Sequence, residues 1–215
     1  MTPVQISEAA RRLLNAVGSD FWADTEIISD HLYFASLELA NETYCIENRY
    51  TATSVASQAE YVRPTRAIAI KRITYNGEKL KPFTEREQDS LDLNTASAIT
   101  GTPQYYWEFD DVLNLFPTPD TAGLTIKISS YDEPSIPTST STLEIPTRYH
   151  GKLVFGVAYY MSLKEVGHPS TGRLESQWAF ARQDVLRWER QRKNRDMPAR
   201  VKLEEDFPST VLGAI

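Results

Sequence analysis

One cysteine, Cys45, stands in a chain of 215 residues. No disulfide can form within the chain, so a small stapled secreted domain is excluded. A lone thiol with nothing nearby in sequence to activate it is read as a small buried hydrophobe. Long apolar runs are also missing. The longest uncharged apolar stretch, LVFGVAYYMSL at 153–163, falls far short of the roughly 20 residues that span a bilayer. The opening MTPVQISEAARR lacks a positive segment followed by an apolar one, so no secretory leader is expected and the chain reads as soluble and intracellular where it is made. Positive charge is in deficit: 23 Lys and Arg against 29 Asp and Glu give a net charge of -6. A surface that binds polyanions everywhere is therefore excluded.

The signatures of catalysis are equally sparse. Histidine occurs only as His31, His150 and His168, and His31 has Ala35 rather than a second ligand four residues on. There is no HExxH, no paired-cysteine zinc spacing, no GxSxG and no phosphate-cradling glycine loop. Carboxylates gather in EREQD and LEED, but a hydrolytic pair must face each other across a cleft. Solvated loop charge accounts for both runs. No enzyme activity, cofactor or metal is expected.

What is present is a folding composition, 41% hydrophobic and 24% charged, which is not that of a disordered chain. Thr2, Pro3 and Gln5 make a helix start with a capping box. Ile6, Ala10, Leu13 and Val17 follow on one helical face, with Gly18 as the expected stop. A second helix is expected after Asp24, with Ile28, Leu32, Ala35 and Leu39 inward, fading near Tyr44. A short linker with Phe21 and Trp22 would join the two as an antiparallel pair. From about Arg49 to Ile128 the pattern is β. Asn76-Gly77 marks one hairpin, TEREQDSLDL a helical turn or two in a loop, and Asp110-Asp111 a turn between strands 104–109 and 112–116. After Pro146, Tyr149, Leu153, Gly156, Tyr160 and Leu163 define one apolar helical face, and Val154, Val157 and Met161 another. A helix apolar on both faces is buried on all sides, within a bundle or between subunits. A last helix is expected over 172–195, with Leu174, Trp178, Ala181, Val185 and Trp188 as its seam. The order predicts an α+β fold: a four-helix bundle of two N-terminal and two C-terminal helices (1–46 and 146–197), an inserted antiparallel β domain (47–145), and an extended C-terminal tail (198–215).

Two clusters invite a function. The stretch 187–202 holds Arg187, Arg190, Arg192, Lys193, Arg195, Arg200 and Lys202 against Glu189 and Asp196, a net +5 that leaves -11 for the rest. It suits an acidic partner, a nucleic acid backbone, or a solvated helix end complementing the C-terminal dipole. The second cluster is GTPQYYWEFDDVLNLFPTPD at 101–120. On a strand Tyr105, Trp107 and Phe109 share one face, and Tyr106, Glu108 and Asp110 the other. The second face is mixed and polar, so the first is the expected core face of a hairpin. An assembly interface and a sugar platform are the other uses of such aromatics.

The segments TSVASQAEYVRP, IAIKRITYNGEKLKPFTEREQDSLD, TGTPQYYWEFDDVLNLFPTPD and EIPTRYHGKLVFGVAYY, in this order and between helix pairs, resemble the head-to-tail adaptor proteins of tailed bacteriophages, including the tail-tubular-protein-A-like adaptors of short-tailed phages. The resemblance covers roughly residues 20–197. It implies a structural virion protein without catalysis, located at the head–tail junction and made in the host cytoplasm. It implies a homo-oligomeric ring, commonly of twelve copies, that joins the portal protein to the tail nozzle or tube. DNA would pass through the lumen without sequence-specific binding, and no membrane would be involved. By the same resemblance the tail docks on the portal through Arg200, Lys202, Leu203, Phe207, Val211 and Leu212. The turns at Asn76, Gly77, Asp110 and Asp111 would contact the tail, and Val154, Val157, Met161, Trp178 and Trp188 would face a neighbouring subunit. A receptor- or glycan-binding module built on the aromatic β insert is the alternative.

Overall fold

The computed structural model describes residues 1–16, 18, 21–83, 99–165 and 167–196, with side chains placed as far as Lys193. The segment TEREQDSLDL and the tail 198–215 lie outside the described residues. Mixed helices and largely antiparallel sheets make the fold α+β.

Helix α1 (Pro3–Leu13) begins as its sequence dictates. Thr2 Oγ1 accepts the Gln5 N–H at 3.2 Å and Gln5 Oε1 accepts the Thr2 N–H at 3.0 Å, which satisfies two otherwise orphaned donors. The helix ends at Leu13, a turn before Gly18, because Asn15 already takes the left-handed conformation at φ 54°. Helix α2 comprises Asp24–Glu26, a π turn Ile27–His31, and Leu32–Thr43. It buries the expected Ile28, Leu32, Ala35 and Leu39 and stops at Tyr44, which is left-handed at φ 52°. A 3-10 turn at Thr147–Tyr149 leads into α3 (His150–Lys164), and α4 spans Thr171–Asp196.

Helix α3 is central: it packs against α1, α2 and α4. That position explains a helix apolar on two faces without a neighbouring subunit. Its closest approach is at Gly156, where a Cβ would lie 2.9 Å from Ala35 Cβ and 3.0 Å from two ring atoms of Trp178. The helical core includes Ile6, Leu39, Leu153, Val157, Met161 and Trp178. Trp22, from the linker after α1, joins it and donates its indole N–H to the Met161 carbonyl at 3.0 Å.

The strands are β1 (Glu47–Thr53), β2 (Glu60–Val62), β3 (Ala67–Tyr75), β4 (Glu78–Lys79), β5 (Lys81–Pro82), β6 (Thr100–Gly101), β7 (Tyr105–Phe109), β8 (Val112–Phe116), β9 (Thr118–Pro119) and β10 (Thr125–Asp132). Two four-stranded sheets have the orders β1-β10-β3-β4 and β2-β8-β7-β5, and β6 pairs with β9. The expectation of a wholly antiparallel β region is corrected at two places, since β5–β7 and β6–β9 are parallel. Parallel neighbours need a long connection rather than a tight turn, and the chain between β5 and β7 supplies one. Ile73, Tyr75, Ile126 and Ile128 of one sheet share a core with Tyr61, Tyr106, Leu113 and Leu115 of the other. The paired sheets meet the helices where Lys193 lies 4.4 Å over the Tyr131 ring and Arg192 meets Glu47 at 2.6 Å.

Candidate functional site

Both expected hairpin turns form. Asn76 and Gly77 (φ 47° and 89°) close β3–β4, and Asp110 and Asp111 (φ 46° and 60°) close β7–β8. Successive left-handed residues match the twist of paired strands. All four residues are exposed, and the two turns sit on different sheets.

The β7–β8 hairpin is turned the other way from the expectation. Tyr106 is buried, whereas Tyr105 and Trp107 are half-buried and Phe109 is 74% exposed. The register explains why. Tyr106 faces Leu115 and Glu108 faces Leu113, and cross-strand partners share a face. Leu113 and Leu115 are core residues, so Tyr106 goes in with them. Glu108 reaches the sheet edge, where the Arg63 Nε–H donates to it at 2.9 Å. The opposite face is an aromatic surface. Phe83 holds it together, with ring centroids 5.1 Å from Tyr105 and 6.1 Å from both Trp107 and Phe116. Next to it, Val62, Val112 and Phe109 stand in register across β2, β8 and β7, and Val62 is 80% exposed.

A second exposed surface lies on α4. Leu174, Trp178, Ala181 and Val185 form the buried seam as expected, but Trp188 is 62% exposed. The seam continues through Glu189, which is 1% exposed. Its carboxylate accepts the Tyr149 hydroxyl at 2.6 Å, Arg148 at 2.9 Å and the Arg192 Nε–H at 2.8 Å. Burial alone would raise the Glu189 pKa, but these bonds hold it below the ordinary carboxylate value. Burial and the bond to Glu189 push the Tyr149 hydroxyl up to about 12. A groove of about 330 Å³ beside this network is lined by Arg148, Tyr149, Lys152, Asp184, Val185 and Trp188. Lys152 meets Asp184 there at 2.8 Å.

The four cations of the basic run whose side chains are described divide in two. Arg192 bridges Glu47 and Glu189, and Lys193 donates to the Thr43 and Tyr44 carbonyls at 3.0 and 3.3 Å. Lys193 thereby fastens α4 to the end of α2, and Arg192 fastens it to the start of β1. Arg187 and Arg190 are exposed and make no ion pair among the described residues.

Of the five residues assigned to a face between subunits, Val154, Val157, Met161 and Trp178 are buried in the chain's own core. The assignment is corrected for these four, because a side chain enclosed by α1, α2 and α4 has no surface to offer a neighbour. Trp188 remains available. Arg200, Lys202, Leu203, Phe207, Val211 and Leu212 lie outside the described residues. Sequence reasoning passed over Phe180, which is 68% exposed. The signal was there, since two residues along a helix from the buried Trp178 is nearly the opposite side. It also passed over Glu38, which accepts the Trp178 indole N–H at 2.6 Å and the Tyr160 hydroxyl at 2.9 Å and pairs with Arg182. Among the described residues, no group of three or more His, Cys, Asp or Glu could hold a metal ion, and no helix is long and apolar enough to cross a membrane.

Among the described residues, the surfaces on offer are the exposed apolar faces of the sheet and of α4 and the charged groove beside Glu189. A family model of the SU10 adaptor protein matches residues 1–202. The chain belongs to the SU10 adaptor protein family. That places it among phage adaptor proteins of structural role. No curated protein matches the chain.

Proposed function

We propose that the chain is a head-to-tail adaptor that assembles as a ring, joins the portal protein to the tail nozzle or tube, and leaves a lumen through which DNA passes. The observation that carries this reading is the family match over residues 1–202. In it, residues 1–46 and 146–197 form a four-helix bundle, 47–145 an inserted β domain, and 198–215 a docking tail. The tail reaches the portal through Leu203, Phe207, Val211 and Leu212, flanked by Arg200 and Lys202. The turns at Asn76-Gly77 and Asp110-Asp111 meet the tail machinery. The ring sits at the head–tail junction of the virion and performs no chemistry.

The exposed aromatic surface supports a docking role for the β strands. A glycan-binding reading would draw on Glu60 and Asn114, which stand in register with Trp107. The most exposed row, Val62, Val112 and Phe109, offers no polar group for a hydroxyl, and this favours a protein partner.

Gradient centrifugation with the portal protein of the same phage tests the proposal. Full-length chain is expected to co-migrate with the portal, and a chain ending at Asp196 to lose that binding. Separate migration of the full-length chain would rule the adaptor role out.

A further inference from the structure

Two exposed apolar surfaces on this chain complement each other. The first is the outer face of the sheet containing β7 and β8, where Val62, Val112 and Phe109 cross three strands in register. At its end stand Asp110 and Asp111; Asp111, 93% exposed in its side chain, lies 3.9 Å from Arg63 of its own chain, and Asp110 has no ion pair among the described residues. The second is the solvent side of α4, which presents Phe180 and Trp188. Arg173, Arg187 and Arg190 flank these rings, and none of the three has an ion pair among the described residues. Asp184, four residues from each ring, is the acid between them, and it is already paired with Lys152 at 2.8 Å.

We infer that these two surfaces bind each other between copies: the β2–β8–β7 face of one chain seats the α4 helix of a second copy. The dimensions agree. Three neighbouring strands span roughly 10 Å across the sheet. Phe180 and Trp188, eight residues apart, are separated by about 12 Å along the helix axis. A helix laid across the strands sets its two rings over the two ends of the Val62–Phe109 row. The acidic turn then stands beside Arg187 and Arg190: Glu108, Asp110 and Asp111 outnumber Arg63 on the sheet, and Asp184 on the helix is already met by Lys152, so the two surfaces carry opposite excess charge. Complementary charge fixes orientation and disfavours the alternative of like faces pairing.

The consequence is directional. Each copy uses one surface as donor and the other as acceptor, so the contact is head to tail and no copy is capped by pairing. Such contacts close into rings when the rotation allows. The inference deepens the ring reading above and rests on it for closure, but the pairing of faces stands or falls separately.

Sedimentation velocity of the full-length chain over a concentration series is the test. Wild type is expected to pass through dimers to larger species. Phe109→Asp spoils the sheet face and Phe180→Asp the helix face, and each should weaken self-association at least about tenfold. Both positions are exposed, so circular dichroism should match wild type. An equimolar mixture of the two variants retains one good sheet face and one good helix face. It should yield a heterodimer and nothing larger. Asp111→Arg and Arg187→Asp should each weaken association, and the double variant should recover it. A wild type that stays monomeric to its solubility limit, variants that still self-associate, or a mixture that stays monomeric would each overturn the pairing. Portal binding by wild type is scored separately. Its loss with the heterodimer intact removes the adaptor reading alone, and the reverse removes the pairing alone.

Discussion

Glu189 occupies the place on the α4 seam that the heptad-like spacing reserved for Trp188. A carboxylate can be buried there because three donors converge on it. Removing it leaves Tyr149, Arg148 and Arg192 facing an empty acceptor. Glu189→Ala should therefore cost about 3–5 kcal/mol, the range for breaking a buried charged network, read by urea denaturation at pH 7. The acid dependence has a definite sign. The folded carboxyl titrates below the ordinary 4.5, so its contribution is complete above that pH and is lost as pH falls through the folded value. Glu189→Gln should flatten stability against pH in that acid window. His31 acts at higher pH. Burial lowers its pKa from 6.5, so below 6.5 the unfolded chain takes up a proton that the folded chain refuses. Stability should drop as pH falls from 7 toward 5, and His31→Gln should remove that part of the slope. A slope left unchanged by the substitution would contradict the assignment.

At the scale of elements, helices were legible and one hairpin was misread. The capping residues of α1 and the inward face of α2 followed from spacing alone. The α1 end did not, because Asn15 adopts a conformation usually left to glycine. For the β7–β8 hairpin, the turn and both strands were legible. The inward face was not, because one strand's alternation was read alone. The information lay in β8: with the turn fixed at Asp110-Asp111, Leu113 and Leu115 fall opposite Glu108 and Tyr106. Two leucines outweigh one glutamate that can escape to Arg63. The corrected orientation predicts a reversal of mutational effect. Tyr106→Ala should cost about 3 kcal/mol, as for other large core truncations. Phe109→Ala should stay within about 0.5 kcal/mol of wild type, as at exposed positions. Equilibrium denaturation distinguishes this from the opposite order. On α3, Gly156 is set by closeness to Ala35 and Trp178 rather than by backbone angle. Gly156→Ala overpacks the contact and should cost about 1–3 kcal/mol in the same assay.

For the molecule as a whole, the order of helices and strands was legible because hydrophobic period switches cleanly near Arg49 and again at Pro146. The surroundings of α3 were not. A helix apolar on two faces signals burial without saying whether its neighbours belong to the same chain, and here α1, α2 and α4 cover Leu153, Val154, Val157 and Met161 while Leu163 stays 49% exposed. This moved the candidate contacts between copies from the core of the helices to Trp188, Phe180 and the aromatic sheet face. The docking residues of the tail were placed by family resemblance, and nothing in their local pattern would have marked them. The central claim is that many copies of this chain form a ring on the portal. Electron microscopy of the portal protein mixed with excess full-length chain tests it most directly. The account predicts added density in one coaxial ring with an open centre. Portal particles unchanged by the chain, or density bound off the axis, would contradict it.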